Sequence, residues 1–318
     1  MSETSYIPIS VATLVPSHTM GVDLFKRDEQ SGRCVLYRGA EYPLREDDLR
    51  RLRGNGISRL FITKEARAEY QQYLRQIAEG SGKDETSISV RTRAMNEVVL
   101  DVLESAFAEG DTEETVSVVK QLGSVTSEVV SRDEFAASDL FDVMHHDYAT
   151  FTHSANVAFY AAMLATEVGL DQQAVEKIAI GGLLHDLGKL EIDEEILCKP
   201  GKLDDQEFRI IKLHPTTGFR KLARRSDLCD GQLMMVYQHH ERNDGRGYPT
   251  GAHEDEIHPW AKICAVVDVY EALTSQRPYR SPMPRQKALE LIERDAGTAF
   301  DEEIVRCWKA IILRSTPH

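Results

Sequence analysis

Apolar residues near the start of the chain fall in short β-rich runs at 7–11, 22–25 and 34–37, separated by turn-prone segments such as Asp28-Glu29-Gln30-Ser31-Gly32. Helical spacing takes over at Leu44, Leu49 and Leu52, breaks at Gly54-Asn55-Gly56, and gives way to a strand over 58–62 and a helix over 64–77. These elements predict a small α+β domain over residues 1–80, with Tyr70, Tyr73 and Leu74 packed in its core. A linker-like Glu79-Gly80-Ser81-Gly82-Lys83-Asp84 follows, and beyond it the apolar period is helical to the end. Met95, Val99, Val102, Leu103, Ala106 and Phe107 form one stripe, and Val116, Val119, Leu122, Val125 and Val129 a second. This is a helical connector over 81–131, read either as a hairpin packed on its neighbour or as a contact through which two copies dimerise. Residues 132–318 predict an all-helical domain, with helices over 147–166, 171–186, 207–224, 232–240 and 261–274. The fold class is therefore mainly α, preceded by a small α+β unit.

The polar exceptions on the inward-facing positions carry the chemistry. His153, His185, Asp186, His214, His239, His240 and Asp268 are five imidazoles and two carboxylates on successive helices. A helical core has little reason to bury seven such side chains without a cation to neutralise and hold them. His185 and Asp186 are about 100° apart around a helix, so they reach neighbouring ions rather than one point, and the two oxygens of Asp186 can bridge. Nitrogen and oxygen donors with no thiolate suit iron, manganese or another imidazole-tolerant divalent ion. Two ions about 3.5–4 Å apart can activate a bridging water and clamp a phosphoryl oxygen, which is hydrolytic phosphorus chemistry. Lys189, a turn beyond His185, is placed to stabilise charge on the phosphate or the leaving oxygen, and Gly188 is expected to close the helix.

Charge and cysteine usage narrow the setting. A net charge of −14 over 318 residues argues against a nucleic acid polymer or an anionic membrane as partner, so attraction for an anionic substrate must be local. Five scattered cysteines with no C-x-x-C pair suit a reducing compartment. No signal-peptide pattern opens the chain and no apolar run approaches the ~18–20 residues of a membrane span, so a cytoplasmic protein without membrane insertion is expected.

The order of His153-Ser154, His185-Asp186-x-Gly188-Lys189, Lys199-Pro200-Gly201-Lys202-Leu203, His214-Pro215, His239-His240-Glu241 with Asp244-Gly245-Arg246-Gly247-Tyr248-Pro249, Asp268 and Arg277-Pro278-Tyr279-Arg280 closely resembles the HD-GYP domain. This is a branch of the HD phosphohydrolase superfamily, and the resemblance covers roughly residues 135–310. It implies an all-helical HD-type domain with a carboxylate-bridged centre, usually iron or manganese, that hydrolyses the bacterial second messenger cyclic di-GMP to pGpG and often on to GMP. By position it implies His153, His185, Asp186 and Asp268 on one metal, with Asp186 bridging to a second held by His214, His239 and His240. Lys189 would assist catalysis, and Tyr248, Arg277 and Arg280 would meet the guanine and phosphates. The planar guanidinium forks suit phosphate. Diguanylate cyclases or other signalling proteins are implied as partners.

Departures from the family pattern bear on detail. Ala149 stands where some members carry a third-metal glutamate, so two metals are expected. The usual Asp-Ala-Leu reads Glu271-Ala272-Leu273, which puts Glu271 near the substrate and opens a preference for another cyclic dinucleotide such as cyclic GMP-AMP. The Ile-Pro segment reads Ile257-His258-Pro259, and Lys262 stands where arginine is common. His145-His146 fall outside the motif and are expected to be solvated or to lie behind the ligands. A receptor that binds cyclic di-GMP and signals by contact is the reading from another class, and the complete ligand set speaks against it.

Overall fold

The computed structural model describes residues 5–28, 31–79, 112–131, 150–197, 201–275 and 281–315, together with Lys199 and six positions between 90 and 98. Arg277, Arg280, His145, His146, Ala149 and the first connector stripe beyond Val98 lie outside the described residues. The chain divides into two compact units, Met1–Val98 and Val99–His318.

In the first unit β1 (Tyr6–Ser10), β2 (Leu24–Arg27), β3 (Cys34–Arg38) and β4 (Arg59–Thr63) form an antiparallel sheet in the order β1-β4-β2-β3. Tyr6 pairs with Thr63 and Arg27 with Cys34. Two helices, α1 (Glu46–Gly54) and α2 (Arg67–Glu79), complete it. The core is Leu24, Leu49, Leu60, Ile62 and Leu74. Tyr70 and Tyr73 are buried as expected, and their hydroxyls reach the Thr13 hydroxyl and the Val15 amide, so aromatic burial leaves no stranded polar group.

In the second unit α3 (Thr112–Val130), α4 (Thr150–Val168) and α5 (Gln172–Leu184) pack together, and α5 is central. Val116, Val119 and Leu122 of the second connector stripe are buried inside this unit. After α5 come α6 (Asp205–Ile211), α7 (His214–Leu222), α8 (Asp230–Gln238), α9 (Pro259–Thr274), α10 (Arg285–Arg294) and α11 (Glu302–Arg314). Caps follow residue chemistry: the Asp171 carboxylate accepts from the Ala174 amide at the start of α5, and Asp204 with Glu207 forms a reciprocal box on α6. Tyr160 of α4, Tyr270 of α9 and Trp308 of α11 meet edge to face with centroids 5.0–5.8 Å apart, fixing the far side of the core.

The helix expected over 207–224 is two helices. Pro215 has no amide to donate to Ile211, so the single rod is interrupted at Lys212-Leu213 and restarts at His214. The helix expected to run through Asp186 ends at Leu184, and a 3-10 turn spans Leu187–Glu191. Gly188 sits inside that turn rather than at a left-handed cap. A Cβ there would lie 2.0 Å from the His214 carbonyl oxygen, so its role is close approach of α7. Gly182 does the same for α4 against α5, where a Cβ would stand 2.7 Å from the Ala158 Cα. That approach brings His153 of α4 beside His185 at the end of α5, with ring centroids 5.2 Å apart.

Candidate metal centre

Three of the histidines stand where helices end or break, and there the backbone has carbonyls with no amide partner. His185, at the end of α5, turns Nδ1 to the Gly182 carbonyl at 2.7 Å. His239, just past α8, turns Nδ1 to the carbonyls of Met235 and Val236 at 3.0 and 3.1 Å. His214 takes the Ile211 carbonyl at 2.7 Å, the oxygen that Pro215 leaves free. A carbonyl only accepts, so each Nδ1 carries the proton and each Nε2 presents a lone pair.

Those lone pairs converge. His214 Nε2 and His239 Nε2 face each other at 3.1 Å, and His185 Nε2 is buried with no hydrogen-bond partner. Asp186 lies among them and is itself buried. Its Oδ2 is 3.5 Å from both His153 Nε2 and His185 Nε2, while its Oδ1 is 3.3 Å from His214 Nε2 and 3.8 Å from His239 Nε2. Asp268 Oδ1 is 3.0 Å from His153 Nε2, and its Oδ2 is 3.9 Å from His240 Nδ1. Within each of the groups His153/His185/Asp268, His185/Asp186/His239 and His214/His239/His240, the donor atoms all lie within 4.8 Å of one another. Facing lone pairs and an unpartnered Asp186 Oδ1 repel or lose solvation unless cations lie between them. The donor set fits divalent metal.

The electrostatics agree. Burial holds His185, His239 and His240 below the ordinary histidine range, His240 down to about 3, so these rings are neutral at pH 7. Burial works against the Asp186 carboxylate too, but Lys189, whose Nζ is 2.5 Å from Oδ2, and then the neighbouring imidazoles outweigh it. Asp268 is held well below the usual range by His153 against its own burial.

Glu271 is placed differently from expectation. Sequence reasoning puts it near the substrate; instead it is buried behind His153. Its Oε2 accepts from His153 Nδ1 at 2.5 Å, and its Oε1 from Asn156 Nδ2 at 3.0 Å and Ser275 Oγ at 2.5 Å. Burial lowers His153, but Glu271 and Asp268 outweigh it and carry the imidazole up to about 9; Glu271 in turn falls to about 2. The signal lay in spacing: Asp268 and Glu271 are one turn apart on α9, as His153 and Asn156 are on α4.

His240 and Tyr248 lie at the more exposed edge of the cluster. His240 is the most exposed of the predicted ligands, with 23% of its side chain open. Tyr248 lies against it, centroids 4.7 Å apart, and its amide donates to the His240 carbonyl. Gly247 makes this turn possible, since a Cβ there would be 2.5 Å from the Arg242 amide nitrogen. Glu241, which sequence reasoning passed over, is buried and accepts from the Thr250 amide and hydroxyl, both at 2.7 Å, and from the Ala252 amide at 3.1 Å. It braces the loop that carries Tyr248. Arg277 and Arg280 lie outside the described residues.

The HD domain family model matches residues 142–304. A cyclic di-GMP phosphodiesterase of Thermotoga maritima is 38% identical over 165 residues, 52% of this chain and 45% of its own. A 3′3′-cGAMP-specific phosphodiesterase of Vibrio cholerae is 37% identical over 51% of this chain and 34% of its own. The chain thus spans about half or less of the length of these curated relatives. Among solved structures, an HDG"Y"P protein from Bdellovibrio bacteriovorus aligns over 97% of this chain and 100% of its own, with a TM-score of 0.72 at 18% identity, a likeness of fold. Among the described residues no helix is long and apolar enough to cross a membrane.

Proposed function

Because the chain belongs to the HD domain family, we propose that it is a metal-dependent phosphodiesterase that hydrolyses cyclic di-GMP to linear pGpG in bacterial second-messenger signalling, with GMP as the product of a second cleavage. The observation that carries this reading is the buried Asp186 carboxylate, whose two oxygens face separate groups of imidazoles. His153, His185 and Asp268 with Asp186 would hold one ion, and His214, His239 and His240 with Asp186 the other. Iron or manganese suits these donors. Such a pair supplies Lewis acidity and a nucleophile at neutral pH.

The chain's own residues do the rest. The helix-end carbonyls hold three rings in one tautomer, so ligand orientation is set before substrate arrives. Lys189, half-buried beside Asp186, keeps an ammonium at the reacting phosphate. Tyr248 walls the open side at His240, and Arg277 and Arg280 would take phosphate oxygens through their guanidinium forks. Water adds across one P–O3′ bond: its oxygen joins phosphorus, the leaving 3′ oxygen takes a proton, and a 5′ phosphoryl group remains.

We place this activity in a reducing cytoplasm, consistent with the unpaired thiols of Cys34, Cys229, Cys264 and Cys307. A dimer through residues 81–131 would use faces other than the α3 stripe, which is buried in its own unit. Diguanylate cyclases or other signalling proteins are the expected partners. A second reading, cyclic GMP-AMP as substrate, is favoured by the Vibrio cholerae relative at nearly the same identity. Anaerobic loading with iron or manganese, followed by metal analysis and a product assay with each cyclic dinucleotide, tests both. Two equivalents of metal and pGpG support the first reading, faster cleavage of cyclic GMP-AMP supports the second, and no linear product from either refutes both.

A further inference from the structure

Lys212 occupies the break between α6 and α7, and its setting differs from that of the lysines around it. Lys189, Lys199 and Lys221 each hold a carboxylate, on Asp186, Glu207 and Glu191. Lys212 holds none among the described residues. Its ammonium lies instead over two aromatic faces, 4.8 Å from the Phe208 ring centroid and 5.1 Å from that of Tyr248. Tyr248 rests on His240, a predicted ligand, with centroids 4.7 Å apart. The order outward from the centre is therefore His240, Tyr248, Lys212, Phe208. The last of these is a large aromatic residue left 46% exposed.

We infer that Lys212 and Phe208 form an outer subsite of the same centre, which takes the second, non-scissile phosphate of a cyclic dinucleotide and the purine next to it. The inference rests on the function proposed above and names how that substrate is held. Such a substrate carries two phosphodiesters, and only one can lie at the metal ligands while it is cleaved. The other is helped by a cation a short distance outward, in a protein whose net charge of −14 makes any attraction for an anion local. The ring faces hold the ammonium without neutralising it, so its charge stays available and little side-chain freedom is lost on binding. Phe208 offers a face on which any purine can stack, which suits a base held without sequence-specific contacts. The subsite acts equally on bound substrate and transition state, so it lowers KM rather than raising kcat.

Lys212→Met tests this, because methionine keeps the apolar stem against both rings and removes only the charge. The metal-loaded full chain is assayed with cyclic di-GMP and with bis(p-nitrophenyl) phosphate, a diester with one phosphate and no purine. The ratio of kcat/KM for the dinucleotide to that for the small diester should fall roughly tenfold or more, through KM for the dinucleotide. Phe208→Ala should lower the same ratio by several-fold, and Lys212→Arg should recover most of the loss. An unchanged ratio, or an equal fall on both substrates, overturns the subsite, the latter by assigning Lys212 to support of Tyr248 and His240. Failure of the proposed function itself would appear in the unmutated chain, as cleavage of the small diester without cleavage of any cyclic dinucleotide, and would remove the subsite with it.

Discussion

Glu271→Gln separates two roles for one carboxylate. The side chain is buried and faces three donors, His153 Nδ1, Asn156 Nδ2 and Ser275 Oγ. Glutamine keeps the volume and one acceptor oxygen but removes the charge and turns two N–H donors into the same space, where Asn156 and His153 already donate. With no metal bound, the rise of His153 from 6.5 to about 9 corresponds to something on the order of 3 kcal/mol favouring the imidazolium, shared between Glu271 and Asp268 and net of burial. With metal bound, the same negative partner polarises the imidazole and fixes its orientation. Loss of such a partner lowers metal affinity by about 10–100-fold, or about 1.4–2.7 kcal/mol. Chelator competition under anaerobic conditions would measure it. The expected result is one weakened site, with turnover restored by excess metal and KM for the dinucleotide little changed. Metal affinity equal to that of the unmutated chain, together with a raised KM, would refute this and return Glu271 to the substrate face.

Gly188→Ala puts a Cβ 2.0 Å from the His214 carbonyl oxygen and 2.7 Å from the Gly218 amide nitrogen; a destabilisation of about 1–3 kcal/mol is expected, read as a lower Tm, and an unchanged Tm would contradict the close approach. Glu241→Ala removes the acceptor for Thr250 and Ala252, so amide exchange at those residues should quicken and KM should rise; unaltered exchange would show that the loop holds without it. Metal uptake should depend on pH through His153. Its folded value of about 9 lies above the ordinary 6.5, so its proton stabilises the metal-free chain fully below pH 6.5, and that stabilisation is lost as pH rises through about 9. Metal must displace that proton, and affinity should therefore climb as pH rises toward about 9, by up to about tenfold per unit, and level off above it. A flat profile in chelator titrations would exclude His153 as a ligand.

Much of this protein is legible in one dimension because its signals are local. Alternating and helical apolar periods separate the small sheet from the helical unit, and seven imidazole and carboxylate side chains on inward positions point to a cluster with metal-type donors without reference to shape. Other features depend on what faces what across the fold. Proline's missing amide breaks 207–224 into two helices, and the carbonyl it frees then orients His214. Gly188 reads as a cap by position, yet the backbone of α7 approaching from elsewhere decides its role. Glu271 reads as a substrate contact from its place in a motif, but packing of α9 on α4 turns it onto His153. Composition and period are properties of a residue and its near neighbours; hydrogen-bond direction, tautomer and close approach are properties of pairs distant in sequence, and only the tertiary structure brings those pairs together.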